Sequence, residues 1–300
     1  MFKGIYVPVV TPFHSDGTLD EVSLAKLCES LVEKNIAGLL PLGTTGEASS
    51  LNAAERALVV ETCSKAIAGT STQLVIGAGT NSTATTIERV KEYESYSPDG
   101  FLIVTPYYVR PSEEGILAHF EQVADVANGM DADVMLYNIP ARSGRYVSTN
   151  GLLSAAKHER IKGVKQAVGG IDEETIKLLS NADENFSVLG GDDAFIAPIC
   201  MLGGKGGVCA SAHIATGLWV EMVDAVQNGD FSHALEIHKA LVPVVNAGFG
   251  EPNPVVFKGA LAAMGVIESD FVRLPLLQAK NESISSLIKA ANAKEIRDLS

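Results

Sequence analysis

Gly100-Phe-Leu-Ile-Val-Thr-Pro106, a helical stretch at 112–128, and Asp133-Val-Met-Leu-Tyr-Asn-Ile-Pro140 form a unit that repeats along the chain. Each short run is apolar at nearly every position rather than at every second one. That is the pattern of a parallel strand buried on both faces, with a helix returning the chain between strands. Similar runs recur at 4–12, 38–43, 74–79, 161–167, 186–191 and 206–211. Helical patterns follow them at 20–34, 52–69, 82–95, 148–157, 172–181, 193–202 and 215–228. Asn52-Ala-Ala-Glu55 and Ser112-Glu-Glu-Gly open helices on good cap residues. Ala68-Gly69 and Asn228-Gly229 close them. Eight strand–helix units in series predict an α/β fold, a closed (β/α)8 TIM barrel rather than an open doubly wound sheet. From Phe231 the pattern is helical only, at 231–248, 254–264 and 278–297. Residues 1–230 therefore read as the barrel, and 231–300 as a C-terminal helical extension packed on it.

The 300 residues are 46% hydrophobic, enough for a large core. Acidic residues outnumber basic ones 36 to 23, a net charge of −13, and no Lys/Arg-rich run interrupts this. That balance argues against nucleic acid or an anionic membrane as partner. A small anionic substrate remains compatible, because a site can be locally basic. Cys28, Cys63, Cys200 and Cys209 are widely spaced, form no CxxC pair, and read as buried free thiols. The start, Met1-Phe-Lys-Gly-Ile-Tyr-Val-Pro, lacks the apolar run of a signal peptide, and no stretch is long enough to span a bilayer. The expectation is a cytoplasmic protein.

In a parallel barrel, reactive groups collect at the C-terminal ends of the strands. Four segments place chemistry there: Gly43-Thr-Thr-Gly-Glu47, Thr105-Pro-Tyr-Tyr108, Tyr137-Asn-Ile-Pro-Ala-Arg-Ser-Gly144, and Lys165 within Ile161-Lys-Gly-Val-Lys-Gln-Ala-Val-Gly-Gly170. A lysine is an odd choice in an apolar strand. Lys162 and Lys165 are three residues apart and should face opposite ways, Lys162 outward, with Val164 and Ala167 on the outer side of Lys165. An inward amine would be desolvated and its pKa lowered, freeing the lone pair to attack a ketone. Tyr137 alone reads as a core aromatic; beside the amine it could shuttle protons. Arg142 offers a planar fork suited to a carboxylate, or is simply an exposed loop arginine. The 43–47 turn could bring backbone N–H groups to a carboxylate, or be a plain structural turn; it lacks the ending of a P-loop. Gly203-Gly-Lys-Gly-Gly207 likewise lacks the following Ser/Thr and reads as a tight entry into the eighth strand. The six histidines show no metal-binding spacing and no dinucleotide fingerprint appears, so neither metal nor nucleotide cofactor is indicated. Asp192 and Asp193 read as caps of the seventh helix.

With these residues in hand, the chain resembles the dihydrodipicolinate synthases, within the family of pyruvate-dependent class I aldolases that also contains N-acetylneuraminate lyase. The resemblance runs through Gly43–Leu51, Val104–Pro111, Leu136–Gly144, Gly163-Val-Lys165, Gly191-Asp-Asp-Ala194 and Glu251-Pro-Asn-Pro254, in the family's order. It implies that Lys165 forms an imine with pyruvate and that Tyr137 donates and accepts protons. Thr44 and Tyr108 would complete the relay, Tyr108 reaching across a dimer interface. Thr45 would hold the pyruvate carboxylate, with the Val208 backbone and Gly191 beside it. Arg142 would receive the carboxylate of L-aspartate 4-semialdehyde. The implied reaction condenses these two substrates toward diaminopimelate and lysine, with no cofactor beyond the covalent imine, in a homotetramer built as a dimer of tight dimers. Arg142 and Thr44 favour the synthase over the sialic acid lyases. Ala53, Arg56 and Thr85 stand where lysine-inhibited members carry effector contacts, while Asn81 and Tyr107 match; weak or absent inhibition by lysine is expected. The rivals are another pyruvate aldolase with a different aldehyde, and a non-catalytic keto-acid sensor.

Overall fold

A computed structural model describes residues 1–299. In chain order the elements are β1 (Gly4–Val7), α1 (Glu21–Val32), β2 (Gly38–Leu39), α2 (Ala53–Ile67), β3 (Gln73–Gly77), α3 (Thr83–Glu92), β4 (Gly100–Val104) and α4 (Glu113–Asn128). They continue with β5 (Asp133–Asn138), α5 (Pro140–Ser143), α6 (Thr149–Ala155), β6 (Ile161–Gln166), α7 (Glu173–Asn181), β7 (Ser187–Gly190), α8 (Ile196–Met201) and β8 (Gly206–Val208). After the last strand come α9 (Thr216–Gln227), α10 (Phe231–Gly248), α11 (Val255–Ala263), α12 (Asn281–Ala291) and α13 (Lys294–Leu299). The eight strands follow one another in chain order around a closed parallel barrel. This is the (β/α)8 fold the apolar runs predict. No helix among the described residues is long and apolar enough to cross a membrane.

Several strands are shorter than their apolar runs. β2 stops at Leu39, where the run extends to 43, and β1 stops at Val7, where it extends to 12. Val9, Val10, Leu40 and Leu42 remain buried beyond the ladder. Burial of both faces makes the sequence apolar, and the hydrogen-bonded ladder ends sooner. The residues released at each C-terminal end shape the loops that carry the candidate site.

The chain divides into two compact units, residues 1–4 with 73–208, and residues 5–72 with those from Cys209 onward. In the first unit, β4, β5, β6 and β7 pair in parallel with nearly every residue buried. β6 carries one irregularity. Ile161 pairs with Val134 but Gly163 pairs with Met135, so Lys162 is an extra residue outside the ladder. Lys165 is buried, as expected, whereas Lys162 is half-buried rather than a fully exposed surface lysine, and it occupies the bulge.

In the second unit, α2 opens on a reciprocal capping box between Asn52 and Glu55. α10 packs against α9 and α12, and α11 against α12. Its buried positions, Ala234, Ile237, Ala240, Leu241, Val244, Val245 and Gly248, recur at helical spacing and form one apolar face.

Candidate active site

Lys165 and Tyr137 are partners in the β5–β6 ladder, side by side on neighbouring strands. Each side chain is buried, with 7% exposure. Lys165 Nζ lies 4.4 Å from the centre of the Tyr137 ring, where the negative ring face attracts a cation. Thr105, just past β4, fixes the tyrosine backbone. Its N–H and its hydroxyl both donate to the Tyr137 carbonyl, at 3.0 Å each. The next pair in the ladder is locked through side chains: Asn138 Nδ2 donates to Gln166 Oε1 at 3.1 Å, and Gln166 Nε2 to Thr175 Oγ1 at 3.1 Å.

Gly191 follows β7 beside the lysine. A Cβ there would stand 2.8 Å from Lys165 Cγ, 3.0 Å from its Cε and 2.8 Å from Ala167 Cβ. Glycine is present for clearance, because the lysine runs through the space a side chain would fill. Ala167 therefore lies on the Lys165 side rather than outside it, since two residues along a strand return to the same face.

Asp192 does not cap a helix. The turn at Asp193–Phe195 has no side-chain cap. Asp192 Oδ2 instead accepts from the Gly169 N–H at 2.8 Å. Burial raises its carboxyl above the usual carboxylate range, while that N–H and the charge of Lys165 pull the other way. Proximity to Lys165 was not visible in sequence, because it depends on how the β7 loop folds back.

Arg142 lies on α5, a single turn opened by Pro140 and closed by Gly144 in a left-handed conformation. Ser143 Oγ lies within hydrogen-bond reach of the Ile139 and Arg145 carbonyls and donates its one proton to either, fixing that turn, while Arg142 is exposed to solvent. Tyr108 is 88% exposed and has a φ of 71°, with Tyr107 and Val109 also exposed beside it. Within the single chain it faces solvent.

The second unit holds the hydroxyl turn. Thr44–Gly46 form one 3-10 turn, ended by Glu47 at a left-handed φ of 50° whose N–H donates to the Thr44 carbonyl. Thr44 is exposed and Thr45 buried. Thr45 Oγ1 accepts from Asn253 Nδ2 at 2.9 Å, and Thr11 Oγ1 donates to the Gly46 carbonyl at 2.7 Å. Glu47 Oε1 receives Lys258 Nζ at 2.8 Å, and its Oε2 receives the Arg273 N–H at 2.9 Å. Burial lowers the Lys258 pKa from its ordinary value, and Glu47 opposes that. Val208, the last residue of β8 and of the first unit, is buried. Sequence reasoning missed Lys258, although its signal matches that of Lys165: a cation in the apolar run Val255-Val-Phe-Lys-Gly-Ala-Leu261.

Among the described residues, His14, Asp20 and Glu268 bring one ligand atom each within 4.8 Å of one another. His14 Nδ1 already pairs with Glu268 Oε2 at 3.0 Å. Asp20 Oδ1 caps α1 by accepting from the Ser23 N–H at 2.9 Å. The group reads as a surface ion pair beside a helix cap.

The chain matches the Dihydrodipicolinate synthetase family over residues 1–294. It is 37% identical over 278 residues to a Clostridium acetobutylicum protein named 4-hydroxy-tetrahydrodipicolinate synthase 2, covering 92% of this chain and 94% of that one. Among solved structures, the 4-hydroxy-tetrahydrodipicolinate synthase of Methylacidiphilum fumariolicum SolV superposes with a TM-score of 0.92 at 31% identity, covering 100% of this chain and 97% of its own. The chloride-inhibited dihydrodipicolinate synthase of Acinetobacter baumannii, complexed with pyruvate, superposes with a TM-score of 0.92 at 30% identity, with 99% of both chains covered.

Proposed function

Because the chain belongs to the dihydrodipicolinate synthetase family, we propose that it condenses pyruvate with L-aspartate 4-semialdehyde to 4-hydroxy-tetrahydrodipicolinate, a lyase activity on the route to diaminopimelate and lysine. The observation that carries this reading is the buried Lys165 amine beside the Tyr137 ring, paired in register and fixed by Thr105.

The Lys165 amine attacks the ketone carbon of pyruvate, and the carbonyl oxygen takes a proton and leaves as water. Tyr137, with Thr44 and a Tyr108 contributed by a neighbouring subunit, carries protons in both directions during this exchange. The imine draws electrons from the adjacent methyl group, which loses a proton to give an enamine. The enamine carbon adds to the aldehyde carbon of the semialdehyde, and the new alkoxide takes a proton. The semialdehyde's own amine then attacks the imine carbon, closes the ring and expels Lys165 unchanged. The Thr45 hydroxyl and the Val208 backbone hold the pyruvate carboxylate, with Gly191 keeping the space open. Arg142 pairs with the semialdehyde carboxylate through its planar fork. None of these steps calls for a metal or an organic cofactor.

The same reading makes the protein a cytoplasmic homotetramer of two tight dimers, with residues 1–230 as the catalytic barrel and 231–300 as a supporting extension. The test is borohydride reduction with pyruvate, followed by peptide mass analysis and an assay with L-aspartate 4-semialdehyde. The expected result is a reduced pyruvyl adduct on Lys165 and turnover with the semialdehyde. An adduct without turnover would point to another pyruvate aldolase, such as an N-acetylneuraminate lyase. Absence of the adduct would leave a non-catalytic keto-acid sensor.

A further inference from the structure

Lys258 is fully buried in the middle of α11, among apolar residues. Its ammonium donates to Glu47 Oε1 at 2.8 Å and stands 4.3 Å from the centre of the Phe13 ring. The other Glu47 oxygen accepts the Arg273 N–H. Arg273 itself is held by the Gly17 and Ser50 carbonyls and by Glu55. Glu47 is thus tied down at both oxygens. Its backbone sits in the left-handed region, a conformation that costs energy for any residue with a side chain unless its surroundings enforce it.

Replacing a buried ion pair with apolar residues of similar volume is often neutral or stabilising, so stability alone explains this one poorly. Position explains it better. Glu47 ends the turn that carries Thr44 and Thr45, and Lys258 anchors Glu47. Five residues before Lys258, Asn253 grips the same turn from another side by donating to Thr45 Oγ1 at 2.9 Å. With that acceptor site occupied, the Thr45 hydroxyl is left to donate its own proton to an anion.

We propose that Lys258 is a positioning residue for keto-acid binding: through Glu47 it fixes the Thr44–Thr45 turn in the shape that receives the substrate carboxylate. This rests on the reading that the turn binds pyruvate. Lys258 touches no substrate, and its effect is preorganisation of the groups that do.

The experiment compares wild type, Lys258→Met, Glu47→Gln and the double variant Lys258→Met/Glu47→Met. Each is measured for melting temperature, for KM and kcat with pyruvate, for KM with the semialdehyde, and for borohydride trapping at saturating pyruvate. The single variants are expected to raise the pyruvate KM by about ten-fold, on the scale of one charge-assisted hydrogen bond. The semialdehyde KM should stay within two-fold of wild type, and trapping on Lys165 should still reach completion. The double variant carries no unpaired buried charge, so it is expected to melt near wild type and still show the raised pyruvate KM. A double variant that melts normally with a wild-type pyruvate KM overturns the proposal. So does a single variant with a lowered melting temperature and an unchanged pyruvate KM. Should the single variants fail to fold, the double variant decides. Should wild type form no adduct with pyruvate, the functional reading fails first, an outcome distinct from unchanged KM values in variants of a competent enzyme.

Discussion

A missing side chain matters as much at this site as the ones present. Gly191 leaves the channel through which Lys165 runs, and a methyl group there would press on both Lys165 Cγ and Ala167 Cβ. Gly191→Ala is expected to displace the Lys165 side chain and, because Ala167 Cβ moves only with its backbone, to melt below wild type as well. It should slow adduct formation with pyruvate by roughly 100-fold, the order expected when a reacting group is displaced by about 1 Å. Rapid-quench borohydride trapping measures this directly; a wild-type trapping rate would show that the clearance is incidental. Arg142 sits differently, exposed on a rigid single turn. Arg142→Ala should raise the semialdehyde KM at least ten-fold while leaving trapping with pyruvate intact, and steady-state kinetics beside the trapping assay separates the two effects. Lys165 was legible in sequence because a cation in an apolar strand is anomalous. Lys258 carries the same anomaly on a helix, where spacing does not say which face meets the 43–47 turn. The clearance at Gly191 and the Asp192 contact with Gly169 were not legible, because both depend on the path of a loop.

Among the elements, the short 3-10 turn Ala210–His213 after β8 has a consequence for pH. His213 is buried, with Nε2 accepting the Val10 N–H at 3.2 Å and Nδ1 donating to the Ala210 carbonyl at 2.8 Å. Only the neutral ring can make both bonds. Burial lowers its pKa from 6.5 to about 4, with the Ala210 carbonyl opposing. The unfolded chain therefore binds a proton that the folded one refuses between those values. The resulting stability is fully present above about pH 6.5 and drains as pH falls toward 4, about 3 kcal/mol in all at ~1.4 kcal/mol per pH unit. Urea melts at pH 7 and pH 4.5 should show most of that loss, and His213→Gln should remove this histidine's share of the difference, His119 being a second buried ring lowered to about 4. An unchanged pH dependence in the variant would assign the acid sensitivity to other groups. The helix caps at Asn52 and Ser112 were legible, since a side-chain oxygen followed by a helical pattern has one local use. The ends of β1 and β2 were over-read, because burial outlasts the ladder.

For the molecule as a whole, alternation of apolar runs and helices sufficed to read the barrel, since each repeated unit can bury its strand only inside a closed sheet. The proposed assembly has one counterpart on the surface. Tyr107, Tyr108 and Val109 form an exposed apolar stretch on the single chain, the kind of surface that a partner covers. If Tyr108 serves a neighbouring subunit, Lys165→Ala and Tyr108→Phe are each expected to lose most activity alone. Dissociated, mixed and reassociated, they should recover turnover well above either parent, because the Lys165→Ala chain supplies an intact tyrosine to its partner's lysine. No recovery after confirmed subunit exchange would place the tyrosine outside the neighbouring site. Ala53, Arg56 and Thr85 underlie the expectation of weak inhibition by lysine. Lysine at millimolar concentration should leave the condensation rate within about two-fold of its uninhibited value, the residual expected where specific charged and hydrogen-bonding contacts are missing; strong suppression in a steady-state assay would refute that.

The bulge at Lys162 has a final implication. Ile161 and Lys165 are four residues apart, yet Lys162, the extra residue opposite the Val134–Met135 step of β5, puts them on opposite faces. Whether the amine looks toward the phenol is consequently decided by a count of residues. Exchanging the side chain at 162 should be forgiven. Shortening the segment before Gly163 by one would force a choice between unseating Ile161 and turning the nucleophile around, so at this point the protein can drift in composition and not in length.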